Sequence, residues 1–429
     1  MRETIKNLVE NKKVLILGFG REGQSSYKYI KEIGGYSRLD IADAKELDLG
    51  LGENTKLICG DNYLDCLNDY DVVFKSPGIV LPKPIEEYTC LITCQADLFL
   101  KVYGKQTIGI TGTKGKSTTS SLLYHILREC GVDVVFGGNI GLPIFDLIPS
   151  IGANTTIVFE LSCHQLEYAH YSPKRAIFLN LYEDHLDHYG SVEKYWNAKK
   201  NLYRNQLEGD KLYCNPLFLP ASGDCKAEII EVKNDDLPFS SWTEVPEAML
   251  RGSHNLFNTA FVYDVCQDFD IKDADFIAAL ATFKTLAHRL EFIGTKDGVD
   301  YFDDSISTTV ESAISAIKAI ENAGTILLGG MDRGIDYDPL VDFLITTDLE
   351  HIVLMYDSGL VIKEKLEAKA DSKFLERVHY IKELSDACDF VKKNAKKGSA
   401  VLLSPASASY GVFKNFEARG DAFKEHIFG

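Results

Sequence analysis

Long apolar runs are missing from this 429-residue sequence, and none approaches the length that crosses a bilayer. Its first residues, MRETIKNLVENKK, also lack the apolar core and small-residue cleavage site of a secretory signal. The apolar fraction of 45% and the charged fraction of 25% are typical of a globular protein in water. We therefore expect a cytoplasmic protein without membrane insertion.

Closely spaced cysteine pairs are absent as well. The nearest two of the ten cysteines, Cys90 and Cys94, have the spacing of neither a CxxC redox motif nor a zinc knuckle. Scattered cysteines in a cytoplasmic protein are typically reduced thiols in the core. The sequence therefore predicts neither disulfides nor a cysteine-based metal site.

The sequence also has no surplus of basic residues, because its formal net charge is -17. A general nucleic-acid binder needs a basic face for the phosphate backbone, so this class is excluded. Any anionic ligand must instead be held locally, by helix N-termini and a few well-placed cations.

Apolar segments of strand length alternate with segments of helix length along most of the chain. This alternation predicts an α/β protein with mostly parallel sheets and ligands at the carboxyl ends of the strands. Low-complexity segments and solenoid repeats are absent, and nucleotide-type motifs restart near Val102 and Leu286. We expect three domains, 1–102, 103–286 and 287–429. The stretch 216–246 predicts irregular connections. The apolar segments are KVLILG, RLDIAD, DVVFKS, QTIGITG, TTIVFELS, RAIFLNL, TILLGG, HIVLMY and AVLLSP.

A first glycine-rich loop, Gly18-Phe19-Gly20-Arg21-Glu22-Gly23, follows the first of these segments. Asp43 lies twenty residues beyond the last glycine, which is the spacing of a dinucleotide-binding unit. A tight strand-to-helix turn explains the same glycines without a ligand, and both interpretations remain open. Ser76-Pro77-Gly78 adds a second small-residue turn at the same edge.

A second loop, Gly112-Thr113-Lys114-Gly115-Lys116-Ser117-Thr118, lies between a strand and an amphipathic helix. It resembles a phosphate-binding loop, although Ile110 occupies the place of the first glycine. Backbone N–H groups would surround phosphates, Lys116 would neutralise them, and the Ser117 hydroxyl would bind Mg²⁺. The alternative is a glycine-rich turn with a solvated lysine.

Oxygen ligands for a magnesium ion follow the next strands. Glu160 ends TTIVFEL, and Asp184, His185 and Asp187 follow IFLNL. An acidic helix N-terminus is the alternative interpretation of EDHLDH. Beside a phosphate loop, the sequence favours ion binding.

Ten ordered motifs together resemble the Mur ligases over nearly the whole chain. They are TGTKGKST, GGNIGLPIFDL, FELSCHQLE, NLYEDHLDHYG, YWNAKKNLY, LRGSHNLFN, AHRLE, DDSISTT, LLGGMDRGIDY and SPASASYGVFKNFEARG. The resemblance implies a Rossmann-like UDP-binding domain, a central ATP-binding P-loop domain with a parallel sheet, and a Rossmann-like C-terminal domain that binds an amino acid.

The resemblance also implies a reaction. The carboxylate of a nucleotide sugar attacks the γ-phosphate of ATP, and an amino acid then attacks the acyl phosphate, which leaves an amide, ADP and phosphate. GGNIGLP and SPASASYGVFKNFEARG are most similar to members of peptidoglycan synthesis that add D-glutamate to UDP-N-acetylmuramoyl-L-alanine. Sister ligases that add L-alanine, a diamino acid or a dipeptide, or that extend folate, remain alternatives. ATP is the co-substrate, two Mg²⁺ ions are expected, and the protein is expected to be a monomer.

The roles of individual residues at the ATP site come from this resemblance. Lys116, His185 and Lys199 are the implied catalytic residues, and Lys199 matches a lysine that the family carbamoylates. A solvated helical lysine is the alternative for Lys199. The implied ATP-binding residues are Gly112, Thr113, Lys114, Gly115, Lys116, Ser117, Thr118, His254, Asn258, Arg289 and Asp304. The implied metal ligands are Ser117, Glu160, His185 and, if carbamoylated, Lys199.

The other two substrates have implied residues of their own. Arg21, Glu22, Asp43, Ser76, Gly78 and Asn139 match positions that bind the UDP substrate. Thr308, Arg333, Ser409 and Phe416 match the amino-acid pocket, where an arginine can hold a carboxylate with two hydrogen bonds. A surface arginine in a turn is the alternative for Arg333. The chain departs from the family at Lys114, Ile306 and Lys45, where asparagine, lysine and arginine are common.

Two other function classes need consideration. A nicotinamide dehydrogenase built on the first loop would leave the second loop and EDHLDH without a role. A non-catalytic relative would be expected to lack phosphate or metal residues, yet Lys116, Ser117, Glu160, His185 and Lys199 are all present. The sequence does not determine whether D- or L-glutamate is preferred.

Overall fold

The computed structural model describes residues 1–49, 55–250, 252–285 and 287–429. The chain divides into two compact units: Met1–Ser240 with Phe257–Leu280, and Ser241–Leu256 with Ala281–Gly429. Leu286, at the second expected domain limit, lies outside the described residues. The limits of the three expected domains therefore stay predictions.

The first unit begins with a five-stranded parallel sheet in the order β3-β2-β1-β4-β5. Its strands are β1 (Lys13–Leu17), β2 (Arg38–Asp43), β3 (Leu57–Cys59), β4 (Val72–Lys75) and β5 (Leu91–Thr93), and its helices are α1 (Arg2–Val9), α2 (Arg21–Ile33) and α3 (Gln95–Tyr103). Strand order reverses between β1 and β4, and ligands of open α/β sheets bind at such a point. Both small-residue turns predicted at this edge, after β1 and after β4, lie there.

A six-stranded parallel sheet, in the order β11-β10-β9-β6-β8-β7, completes the first unit. Its strands are β6 (Thr107–Thr111), β7 (Val134–Gly138), β8 (Thr156–Glu160), β9 (Arg175–Phe178), β10 (Lys211–Cys214) and β11 (Glu228–Glu231). The helices that follow are α4 (Lys116–Glu129), α5 (Cys163–Leu166), α6 (Leu186–Tyr189), α7 (Val192–Arg204), α8 (Ser253–Gln267) and α9 (Asp273–Thr282). Helix α8 runs from the second unit into the first.

Strand β11 corrects the prediction that 216–246 contains only irregular connections. Residues Glu228–Glu231 pair in parallel with β10 at the edge of the sheet. Three of these four residues are exposed, so the strand has no buried apolar run from which the sequence could predict it.

The second unit contains a mixed six-stranded sheet in the order β12-β13-β17-β14-β15-β16. Its strands are β12 (Glu291–Lys296), β13 (Val299–Asp303), β14 (Ala323–Leu328), β15 (His351–Leu354), β16 (Val378–Tyr380) and β17 (Ala400–Leu403). Its helices are α10 (Val310–Ala319), α11 (Asp338–Ile345), α12 (Tyr356–Lys369), α13 (Ser372–Leu375), α14 (Leu384–Asn394) and α15 (Phe416–Phe428). Only β12 is antiparallel among these strands, in a hairpin with β13 that turns at Asp297 and Gly298, both with positive φ.

Each of the nine strands predicted from an apolar segment is confirmed, and with them the α/β class. Residues Val14, Leu15, Ile16 and Leu17 of β1 are fully buried, as expected for a central parallel strand. All ten cysteines are free thiols. Within the described ranges, no helix combines the length and the apolar character that crossing a membrane requires.

Candidate active site

The second glycine-rich loop connects β6 to α4 in the first unit. Gly115 has a φ of 85°, which favours glycine, and it directly precedes the helix. A Cβ atom at this position would lie 2.7 Å from Oδ1 of Asn258. Asn258 of α8 therefore lies against the loop.

Two lysine side chains converge on one carbonyl oxygen of this loop. Nζ of Lys116 and Nζ of Lys199 each lie 2.8 Å from the carbonyl oxygen of Gly112. Lys199 is 1% exposed, so the alternative of a solvated helical lysine is wrong. Burial lowers the pKa of both amines, and for Lys199, which also has the charge of Lys116 nearby, the pKa falls to about 7.

Glu160 supplies a buried carboxylate beside these lysines. It ends β8, is fully buried, and helps to keep Lys116 charged. Its Oε1 accepts a hydrogen bond from Asn139 Nδ2 at 2.7 Å, and its Oε2 accepts one from Ser120 Oγ at 3.2 Å. Carboxylate and hydroxyl oxygens are the ligands that Mg²⁺ prefers, so the chemistry of the Glu160 carboxylate and of the Ser117 hydroxyl suits that ion.

Lys114 is held in the loop by the residues that follow β9. Asn180 accepts a hydrogen bond from the Lys114 backbone N–H at 2.9 Å and donates one to the Lys114 carbonyl oxygen at 3.1 Å. The Lys114 ammonium lies 3.6 Å from the carboxylate of Asp184. The two hydrogen bonds involve only the backbone of Lys114, so its lysine side chain, at a position where asparagine is common in the family, is distinguished only by the contact with Asp184.

His185 lies in a cluster of aromatic rings. Its backbone has a φ of 52°, and its ring centroid lies 5.0 Å from that of His164 and 5.8 Å from that of Tyr195. Burial and the neighbouring histidines lower the pKa of His164 to about 4, so this ring is neutral at physiological pH. The side chain of Asp187, proposed from the sequence as an ion ligand, lies outside the described residues.

The first glycine-rich loop is held in place by contacts with the residues that follow β4 and with Asp43 at the end of β2. Gly18 has a φ of 85°, and a Cβ atom there would lie 2.7 Å from Cδ1 of Ile79. Ser76 Oγ donates to the Gly18 carbonyl oxygen at 2.9 Å. The Asp43 carboxylate accepts hydrogen bonds from the backbone N–H groups of Phe19 at 2.7 Å and Lys45 at 2.9 Å. Asp43 thus fixes the shape of the loop.

A cavity of about 230 Å³ lies next to this loop. Four of the six residues predicted for the UDP substrate line it: Arg21, Glu22, Ser76 and Asn139. The other two predicted residues, Gly78 and Asp43, are not among its lining residues. The remaining lining residues are Gly20, Pro77, Gly138, Pro143 and Gln165.

Three residues predicted for ATP lie in the second unit. The buried Asp304 accepts hydrogen bonds from the Leu290 N–H at 3.0 Å and from Ser404 Oγ at 2.7 Å. Burial raises the pKa of Asp304 to about 6 against the opposing effect of Arg289, whose side chain is exposed. Burial also lowers the pKa of His254.

The four residues predicted for the amino acid follow strands or begin a helix of the second unit. Arg333, after β14, is exposed, Thr308 is half-buried, and Ser409 is buried. Phe416 is the first residue of α15, and its carbonyl oxygen accepts a hydrogen bond from Ser305 Oγ at 2.9 Å. This contact joins two of the loops that carry the predicted pocket.

Two family models match the sequence, the Mur ligase middle domain over residues 110–216 and the Mur ligase, glutamate ligase domain over residues 288–407. A UDP-N-acetylmuramoylalanine--D-glutamate ligase of Acetivibrio thermocellus is 31% identical over 456 residues, which cover 98% of this chain and 97% of the relative. The chain belongs to the Mur ligase family. Ligases of the same name from Clostridium tetani and Streptococcus thermophilus are each 30% identical, with 98% and 97% of both chains covered, respectively.

Solved Mur ligases share the fold at lower sequence identity. MurF from Thermotoga maritima, solved in complex with ADP, has a TM-score of 0.55 at 16% identity and covers 98% of this chain and 96% of its own. MurC from the same organism has a TM-score of 0.52 at 18% identity, with 96% and 98% covered. The three-domain fold of the Mur ligases is therefore the fold of this chain.

Some residues of this Mur ligase site were not singled out from the sequence although they lie in the quoted motifs. Asn180 fixes the phosphate loop, and Gln165 donates to the Glu22 carboxylate at 3.1 Å. The fully buried Arg419 donates to the Ser305 hydroxyl, the Ser305 carbonyl and the Ser407 carbonyl at 2.9–3.0 Å. Their partners are distant in sequence, so membership of a shared motif was the only available signal.

Proposed function

We propose that this protein is an ATP-dependent ligase of peptidoglycan precursor synthesis that adds D-glutamate to UDP-N-acetylmuramoyl-L-alanine. The observation that carries the proposal is the end-to-end similarity to ligases of that name, at 30–31% identity over 97–98% of the chain. The geometry agrees, because the buried Lys199 and the buried carboxylate of Glu160 lie beside a phosphate-type loop that carries Lys116.

In the first step of the reaction two anions, the substrate carboxylate and the γ-phosphate of ATP, must react with each other, and the amine of glutamate reacts only in the second step. A carboxylate oxygen of the alanyl group attacks the γ-phosphorus of ATP, and the bond to the bridging oxygen breaks to release ADP. The amino nitrogen of glutamate then attacks the acyl carbon, loses a proton, and expels phosphate. Lys116 is proposed to neutralise the γ-phosphate so that the carboxylate can approach it.

We propose that Ser117, Glu160 and His185 hold Mg²⁺ ions, two in number. The oxygen donors of Ser117 and Glu160 fit this hard cation. Bound magnesium supplies positive charge that offsets the charge of the triphosphate and the attacking carboxylate. The chain's own part is to fix the Glu160 carboxylate, which the hydrogen bonds from Asn139 and Ser120 accomplish.

Lys199 is proposed to react with carbon dioxide. With a pKa of about 7 it has a large neutral fraction at physiological pH, and only the neutral amine can attack the carbon of CO₂. The nitrogen loses a proton and a carbamate forms. This change replaces a cation next to Lys116 by an anion, so it removes a repulsion inside a buried site.

The remaining assignments are proposals of the same kind. Residues 112–118 with His254, Asn258, Arg289 and Asp304 are proposed to bind ATP. Arg21, Glu22, Asp43, Ser76, Gly78 and Asn139 are proposed for the UDP substrate, with Asp43 acting through the loop that it holds. Thr308, Arg333, Ser409 and Phe416 are proposed for D-glutamate, whose carboxylate a guanidinium matches in shape. A monomer with domains 1–102, 103–286 and 287–429 completes the proposal.

A coupled assay of ADP release tests this function. The purified full chain receives UDP-N-acetylmuramoyl-L-alanine, D-glutamate, ATP and Mg²⁺, and each substrate is omitted in turn. We expect ADP release that requires both the nucleotide sugar and the amino acid. ADP release that is independent of either one would contradict the proposal.

The same assay separates the sister ligases and the stereochemistry. L-Glutamate, L-alanine and a diamino acid each replace D-glutamate at equal concentration. We expect D-glutamate to give the highest kcat/KM. A higher value for one of the others would reassign the amino-acid pocket while leaving the ATP chemistry intact.

A further inference from the structure

Glu22 lines the cavity beside the first loop, and one of its two carboxyl oxygens has no hydrogen-bond partner. Its Oε1 is shielded from solvent and has no hydrogen-bond partner, whereas its Oε2 accepts from Gln165 Nε2 at 3.1 Å. Burial raises the pKa of this carboxyl group to about 7. A charged carboxylate here is therefore poorly stabilised, and the neutral acid is readily formed.

No cation pairs directly with Glu22 among the described residues. Lys75, whose charge acts on Glu22, donates to the carbonyl oxygens of Ser76 at 3.4 Å and Pro77 at 3.2 Å and lies 3.9 Å from the Glu167 carboxylate. Burial lowers the pKa of Lys75 and raises that of the nearby Cys94 thiol to about 12. The thiol therefore stays neutral.

Arg21 precedes Glu22 in the sequence, but its side chain does not pair with the Glu22 carboxyl group. Its guanidinium donates to the carbonyl oxygen of Gly141 and is exposed. No direct ion pair with Arg21 therefore stabilises the ionised form of the Glu22 carboxyl group.

The cavity that Glu22 lines is otherwise suited to an anion. Arg21, Asn139 and Gln165 each have N–H groups beyond the one that already donates within the protein, whereas the Ser76 hydroxyl proton is used by the Gly18 carbonyl oxygen. The N-terminus of the 13-residue helix α2 contributes a positive dipole end. An ionised carboxylate among these groups would repel a phosphate. A protonated carboxyl group would donate a hydrogen bond to it, and rotation about the soft last torsion exchanges its two oxygens.

We infer that Glu22 is a proton-carrying binding residue: its protonated carboxyl group donates to a phosphate oxygen of the nucleotide-sugar diphosphate, and binding to the ionised form takes up one proton from solvent. The inference rests on the proposed function, because it takes the nucleotide sugar to be the ligand of this cavity. It assigns Glu22 a role in binding and none in the transfer of the phosphoryl group.

The sign of the pH dependence follows from the proton uptake. Below pH 7 most Glu22 is already protonated and affinity is at its maximum. Above pH 7 the fraction of the protein with protonated Glu22, which is the form that binds, falls roughly tenfold for each pH unit. The apparent Kd for the nucleotide sugar rises by the same factor. Affinity is thus lost as the pH rises through the pKa of Glu22.

Calorimetric titration tests this inference. The full chain is titrated with UDP-N-acetylmuramoyl-L-alanine at pH 8 in two buffers of different ionisation enthalpy, and the difference in heat counts the protons. The ligand's diphosphate is esterified at both ends and does not titrate near neutrality. We expect uptake of roughly 0.9 proton for the native chain. Glu22→Gln, which donates at every pH, should show no uptake and bind about tenfold tighter at pH 8.

Glu32→Gln is the matched control, because Glu32 lies on the same helix and its carboxylate pairs at the surface with Arg2. It should keep the native proton uptake. Binding by the native chain without proton uptake overturns the inference and leaves the proposed function standing, and this part needs no variant to fold. Unchanged uptake in Glu22→Gln also overturns it. Absence of any nucleotide-sugar binding overturns both the inference and the proposed function.

Discussion

Two glycine-rich loops of the first unit have the same position in their sheets and opposite chemistry. Each connects a central parallel strand to the N-terminus of a helix, after β1 and after β6. In the loop after β6, the ammonium groups of Lys116, a residue of the loop, and of the buried Lys199 both contact the Gly112 carbonyl oxygen. The loop after β1 is held by Asp43 and bordered by Glu22, both acids. The two loops have similar backbone positions, so the side chains around each loop determine the charge of its site.

The difference matches the charge of the proposed ligands. ATP carries more negative charge than an esterified diphosphate, and its γ-phosphate must meet a carboxylate during the reaction. A helix N-terminus, neutral donors and the single cation Arg21 are proposed for the diphosphate, whereas lysine cations and magnesium are proposed for the triphosphate. A chain with a net charge of -17 thus places cations where the chemistry requires them.

The largest expected effect is that of Lys116→Ala, because it removes the cation proposed for the γ-phosphate. We expect ADP-forming turnover to fall on the order of a thousandfold, while circular dichroism shows a folded protein. Lys200→Ala, a lysine next to Lys199 on α7, is the control and should retain nearly full activity. Retained turnover in Lys116→Ala would remove the second loop from the ATP site.

Lys199→Ala should have the next largest effect. We expect turnover to fall about a hundredfold and to recover in part when a short carboxylic acid such as acetate is added, because the acid replaces the proposed carbamate. The coupled assay with and without acetate measures this. Acetate should leave Lys200→Ala unaffected, and normal turnover of Lys199→Ala without acetate would refute the carbamate.

Gly23→Ala tests the first loop through its packing. A Cβ atom at Gly23 would overlap the carbonyl oxygen of Gly18, so we expect a loss of about 2 kcal/mol in the free energy of unfolding. Chemical denaturation measures the change. Gly20→Ala is the control in the same loop, because no atom lies within 4 Å of a Cβ placed there and its φ is -68°. Equal stability of the two variants would show that the loop is looser than described.

Arg333→Ala should have the smallest of these effects, because the side chain is exposed. We expect the KM for D-glutamate to rise about tenfold with little change in kcat, as for the loss of one charged hydrogen-bonding group. Steady-state kinetics with varied D-glutamate measure both constants. An unchanged KM would move the carboxylate site elsewhere.

The fold was largely readable from the sequence because long parallel strands are buried on both faces. Segments such as KVLILG and AVLLSP leave little ambiguity, and the structure confirms them as β1 and β17. Two of the strands that were missed are short and lie at an edge of their sheet. Glu228–Glu231 exposes most of its residues, and Val378–Tyr380 has only three. Such strands form because a neighbouring strand offers hydrogen bonds, which a local pattern does not reveal.

For the candidate site, the sequence predicts which residues follow strands but not how their charges are compensated. Glu160 and Lys116 could be predicted because each lies at the carboxyl end of a strand or in the loop that follows. The burial of Lys199 depends on which face of α7 packs inward. The contact of Glu22 with Gln165 joins residues 143 positions apart. Long-range contacts of this kind decide protonation, and only the folded chain shows them.

Direct binding at pH 8 tests the contrast between the loops most directly. The Kd values of the nucleotide sugar and of a non-hydrolysable ATP analogue with Mg²⁺ are measured for the native chain, Glu22→Gln and Lys116→Ala. We predict that Glu22→Gln binds the nucleotide sugar about tenfold more tightly with unchanged ATP-analogue affinity, whereas Lys116→Ala weakens the ATP analogue alone. A variant that changes the affinity for both ligands equally, or only for the opposite ligand, would contradict the account.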